Sequence, residues 1–156
     1  MNTRNAIDQF ADYFDSEEQS YERTEDGSGG IRIRFNIGCK LRAITESIFI
    51  YEDTLIVLAQ CVPRVDENQR THAAEYLTRI NYELHLGNFQ LDFETGDIMY
   101  RISQSLGDDE LSKDIIAKII CMPLAMFKKY EEDILAFAAH TNTNMDKADK
   151  EKHIGG

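Results

Sequence analysis

The chain has 156 residues, 42% of them hydrophobic and 29% charged, so a single globular core without staples is expected. Its formal net charge of −11 repels nucleic-acid phosphates unless a basic patch is concentrated somewhere. The candidate patch is Arg32, Arg34, Lys40 and Arg42, too few bases to outweigh that background, so nucleic-acid binding is disfavoured.

The first predicted element is a helix. Ile7, Phe10, Ala11 and Phe14 recur at i, i+3, i+4 and i+7, while Asp8, Asp12 and Asp15 face elsewhere. Thr24 to Gly30 is polar and glycine-rich and reads as a loop or hairpin turn. Ile31–Ile37 then alternates strictly, with Ile31, Ile33, Phe35 and Ile37 on one face and Arg32, Arg34 and Asn36 on the other. A second strand covers Arg42–Tyr51, and Glu52-Asp53 turns the chain into a third, Thr54–Val62. Both faces of that third strand are apolar, Leu55/Val57/Ala59/Cys61 against Ile56/Leu58, a pattern expected of a central strand covered on both sides. Pro63 is expected to end it.

Asp66, with Gln69 three positions on, predicts a capped helix running to Leu86, with Ala73, Leu77, Ile80 and Leu84 inward. Gly87 is expected at its left-handed C-terminal position, where Gly87→Ala costs about 1 kcal/mol or more. Asn88–Glu94 and Asp97–Ser105 read as a hairpin around Gly96. Leu111, Ile115, Ile119 and Met122 begin a last helix, which Pro123 is expected to kink or split from a segment Leu124–His140. From Thr141 no apolar pattern remains. Residues 1–140 are read as one domain and 141–156 as a disordered tail.

The order is therefore α-β-β-β-α-β-β-α, and the fold class is α+β with a five-stranded antiparallel sheet. Asn81, Gly87-Asn88-Phe89, Leu91-Asp92, Gly96 and Tyr100-Arg101 together resemble the central pattern of the YbjN-domain family. That family comprises bacterial proteins described as candidate sensory-transduction regulators. The element order also resembles type III secretion chaperones. The resemblance implies an interaction module with no enzymatic activity, and a dimer formed through the second helix and the strand after it.

Catalytic chemistry finds little footing. His72 and Glu75 share a helix face, and Glu83 and His85 lie near its end, but no third ligand is placed and His-Glu-x-x-His is absent. Cys61 and Cys121 lie in apolar stretches where a thiol is inert, and Cys39 completes an odd set with no Cys-x-x-Cys pair. Gly27-Ser28-Gly29-Gly30 precedes a strand, whereas a phosphate cradle precedes a helix. Asp92 and Glu94 share the outward face of one strand and are read as solvated. No apolar run is long enough to span a bilayer and no signal core is present, so the expected location is the cytoplasm.

The favoured reading is a non-enzymatic, chaperone-like protein-interaction or regulatory module. It carries no cofactor, catalytic residue or metal site, and does not bind membranes. The partner surface is expected at Phe49, Tyr51, Ile56, Leu58, Arg32 and Arg34. The alternative is a small-molecule-binding protein or hydrolase with a pocket between sheet and helices. A homodimer is also expected, because the second apolar sheet face needs a cover unless the last helix crosses to it.

Overall fold

The computed structural model describes residues 3–24, 29–38 and 40–138. The expected tail beyond Thr141, together with Gly27, Ser28 and Cys39, lies outside the described residues. The elements are α1 (Thr3–Ser16), β1 (Glu22–Arg23), β2 (Ile31–Asn36), β3 (Ala43–Tyr51), β4 (Thr54–Arg64), a 3-10 turn (Glu67–Gln69), α2 (Arg70–Glu83), β5 (Asn88–Leu91), β6 (Asp97–Ser105) and α3 (Lys113–Lys129). Helical backbone resumes at 131–138 after a turn at Tyr130.

The strands form one antiparallel sheet in the order β1-β2-β3-β4-β6-β5. It has six strands, one more than the sequence pattern predicts. The extra strand, β1, is two exposed residues long and carries no alternation to reveal it; pairing of Glu22 with Arg32 and Arg23 with Ile31 defines it.

Register decides which residues share the inner face. Ile33 pairs with Glu46, Glu46 with Ala59, and Ala59 with Tyr100; one pleat along, Ile31, Ile48, Val57 and Ile102 form a second row. These side chains join Ile7, Phe10 and Phe14 of α1, Ala73 and Leu77 of α2, and Ile116, Ile119, Ile120 and Phe127 of α3 in one core. The described helices therefore all cover one face. β4 is central, as its apolar pattern predicts, but no described helix covers its second face.

Several local expectations are corrected. β4 runs through Pro63 to Arg64, because the register shifts between Gln60 and Arg64 and the irregularity accommodates a residue without an N–H. Asp66 precedes the 3-10 turn and makes no side-chain capping bond, and Gln69 makes none either. α2 stops at Glu83 because Leu84 is already extended, so Gly87 leads into β5 and is not the residue after the helix; its positive φ of 76° is as expected. α3 continues unbroken through Pro123. That proline is buried on the same stripe as Ile119, Ile120, Met126 and Phe127, and apolar burial outweighs the missing N–H.

Four of the residues that carry the family resemblance, Asn81, Gly87, Phe89 and Tyr100, meet in one structural cluster. The Asn81 amide donates from Nδ2 to the Phe89 carbonyl at 2.9 Å and accepts at Oδ1 from the Phe89 N–H at 2.8 Å. This satisfies the outward backbone groups of an edge strand. The Phe89 ring stands edge-on to Tyr100, with centroids 4.9 Å apart, and the Tyr100 hydroxyl donates to the Leu86 carbonyl. Burial, then the Tyr130 charge, pushes the Tyr100 hydroxyl up to about 12. Asn81→Ala is expected to cost about 2 kcal/mol, because two bonds to one buried residue vanish together. Urea unfolding checks this, and a loss below about 0.5 kcal/mol counts against the clamp.

Candidate functional site: the open face of the sheet

The outer face follows from the same alternation. Strand residues one step from the core row point away from the helices. One row across the sheet reads Arg32, Ser47, Leu58, Arg101 and Asn88. The next reads Arg34, Thr45, Gln60, Met99 and Gln90. A third reads Phe49, Ile56 and Ser103. Small side chains at Thr45 and Ser47 leave a shallow concavity of about 590 Å³ along β3 and β4, reaching Arg32 on one side and Arg64 and Met99 on the other. Two further hollows extend it, one towards Tyr21 and Arg34 and one towards Phe49 and Ile48.

All six residues expected at a partner surface lie on this face. Phe49 and Leu58 are half-buried, Tyr51 is 65% exposed, and Ile56 is shielded to 6% exposure beside Phe49. Arg32 and Arg34 are exposed and have no carboxylate within salt-bridge distance among the described residues. Sequence reasoning missed Arg64, Met99 and Arg101. Arg101 bonds to Ser103 Oγ at 3.3 Å, and Arg64 pairs with Asp97 at 2.9 Å. The outward alternation of β6 was visible, but no local pattern says that β6 pairs with β4. Among the described residues the face thus carries four arginines against Glu22 and Asp97, within a strongly acidic chain.

The other candidates are spent elsewhere. His72 and Glu75 are exposed on α2, where Arg79 bonds to Glu75 at 2.8 Å and holds its carboxyl below the usual range. Among the described residues no three His, Cys, Asp or Glu side chains group to hold a metal. Cys61 is buried, and Cys121 is exposed on α3 with its thiol pushed up by desolvation, then by the Glu46 and Glu17 charges. Asp92 is a correction: β5 ends at Leu91, and the Asp92 carboxylate accepts the Glu94 and Thr95 N–H groups at 2.8 and 3.4 Å, so it builds the turn and does not pair with Glu94 on a strand. Phe93 is 55% exposed in that turn.

One polar residue was missed altogether. Glu46 lies on the inner face at 0% exposure, and neither carboxyl oxygen has a partner among the described residues. Desolvation raises its pKa well above 4.5. The signal was present in Ile44, Glu46, Ile48, Ile50, whose alternation puts the acid on the apolar side.

The YbjN family model, described as "Putative bacterial sensory transduction regulator", matches residues 6–136. The chain belongs to the YbjN family. Among solved structures it is similar to "YbjN, a putative transcription regulator from E. coli", at 15% identity and a TM-score of 0.62, covering 88% of this chain and 95% of that one. It is also similar to a chain of the ExsC-ExsE complex, at 12% identity and a TM-score of 0.57, covering 85% and 96%. At these identities the likeness is one of fold. No curated protein matches. Within the YbjN family pattern, Asn81, Gly87, Phe89 and Tyr100 hold β5 to α2 and β6, so the motif encodes the fold and leaves the arginine face to be read separately. No helix among the described residues is long and apolar enough to cross a membrane.

Proposed function

We propose that the chain is a non-enzymatic, cytoplasmic protein-binding module and that the open sheet face receives its partner. The observation that carries this is a six-stranded sheet whose described helices lie on one side, leaving Phe49, Leu58 and Met99 outward between arginines. Layered folds bury both faces of a central strand whose sequence is apolar on both sides. A chain of similar fold is part of the ExsC-ExsE complex, which supports a role in protein binding.

A photo-crosslinking residue placed at Ser47, in the middle of the face, tests this in cells. Specific protein adducts are expected from Ser47 and not from Thr71, which is exposed on α2. Adducts from Thr71 alone overturn the assignment.

The same face does not suit a twofold homodimer, because pairing it with itself sets four arginines against four. We assign self-association to the α2–β5 edge, where Tyr82 is 88% exposed beside an edge strand. Light scattering at micromolar concentration is expected to give twice the chain mass of 17.9 kDa, falling to one chain in Tyr82→Asp and unchanged in Leu58→Asp. The opposite pattern returns the dimer to the sheet face.

A further inference from the structure

The arrangement of charge on the open face specifies what fits there. Arg32 and Arg101 stand in one cross-strand row, with Ser47 and Leu58 between them, Glu22 beyond Arg32 and Asn88 beyond Arg101. Three strand spacings separate them, roughly 14 Å at the usual spacing of about 4.8 Å. An α-helix with its side chains is about 10–12 Å across, so one helix lies between the two arginine positions. The floor beneath it is Phe49 and Leu58, backed by the shielded Ile56, with the small Thr45 and Ser47 giving it depth. Arg32 and Arg34 are two residues apart on β2, about 6.8 Å along an extended strand. Carboxylates at i and i+4 of a helix are about 6 Å apart along its axis, a close match.

Resting on the reading of this face as a protein-binding surface, we propose that its occupant is an amphipathic helix of a partner protein, with an apolar stripe on β3–β4 and acidic residues on both flanks facing Arg32/Arg34 and Arg101. Such a helix completes a helix–sheet–helix sandwich and gives both arginine groups a counter-charge. A second copy of this chain does not supply it. Its acidic helix, α1, already buries Ile7, Phe10, Ala11 and Phe14 in its own core. Nucleic acid fits less well. A duplex carries about one charge per 1.7 Å and runs past the arginines into the field of a chain of net charge −11.

The test uses the full chain and defined probes. Two fluorescein-labelled peptides of about 16 residues share one leucine stripe at helical spacing and carry either Glu or Lys on both flanks. A single-stranded DNA of the same length is the polyanion control. By fluorescence anisotropy the Glu peptide is expected to bind about tenfold more tightly than the Lys peptide or the DNA. The double variant Arg32→Glu/Arg101→Glu is expected to weaken the Glu peptide about tenfold and strengthen the Lys peptide. Its far-UV spectrum and melting curve should match the parent, because both arginines face away from the core.

Ser47→Trp, which fills the floor without changing charge, is expected to weaken both peptides. Absence of Glu-peptide binding, indifference to the arginine reversals, or tighter binding of the DNA overturns the proposal. If the peptides fail while the Ser47 adducts persist, the acidic helix is wrong and the protein-binding face stands. If both fail, the face itself is misassigned.

Discussion

Replacing Glu46 by Met is expected to stabilise the protein by about 2 kcal/mol at neutral pH. Glu46 is the only fully buried carboxyl side chain among the described residues whose oxygens lack any partner. It sits between Ile33 and Ala59, and the titratable groups that face it from above are Cys121 of α3, with Tyr13 of α1 and Glu17, just after α1, around that thiol. None is basic, so the acid keeps its proton by desolvation. Methionine has a similar unbranched length and no group to desolvate.

The pH dependence has a definite sign. The unfolded chain releases this proton near 4.5, whereas the folded chain holds it to a much higher pH. Between the two values the unfolded state binds fewer protons, so stability falls as pH rises from about 4.5. Glu46→Met removes that slope, and its advantage over the parent grows from mildly acidic to alkaline pH. Urea unfolding across that range measures both effects. A variant less stable than the parent, or one with the same slope, shows that the carboxyl has a partner after all.

Gly87→Ala is expected to cost about 3 kcal/mol, well above the conformational cost of a positive φ by itself. An added Cβ lies 2.5 Å from Tyr100 Cε1, 2.8 Å from the Arg101 carbonyl oxygen and 2.9 Å from Ile102 Cγ1. Tyr100 cannot swing aside, because its ring packs on Phe89 and its hydroxyl is tied to Leu86. Gly38 supplies the internal control. Its φ is +65° and its Cβ position is open, so Gly38→Ala is expected to cost only about 1 kcal/mol. Equal losses at the two positions in thermal or urea unfolding remove steric crowding as the cause.

Much of the secondary structure was legible because it rests on short-range periodicity. Period-two alternation located β2 and β6, β-branched and aromatic content located β3, and a continuous apolar run located β4; side-chain alternation then assigned Arg32, Arg34, Phe49 and Leu58 to one side of their strands. Helical spacing likewise found the apolar stripe of α1. Errors clustered where a local preference competes with packing. Pro123 was expected to break a helix that buries it, Asp66 and Gln69 were expected to cap a helix that begins without them, and β1 is too short to have a period.

Sequence by itself determined which residues share a face of each strand, because side chains alternate whatever the strand pairs with. Tertiary structure decided the rest. Pairing of β4 with β6 brings Arg101, 69 positions from Arg32, into the same row, and no local pattern encodes a register between distant strands. Stacking of α1, α2 and α3 on one side made Glu46 a buried acid and Leu58 a surface residue, although both lie in apolar strands. Which of two apolar faces is covered depends on where the connecting chain carries its helices, a non-local outcome that the periodicity of a strand cannot express.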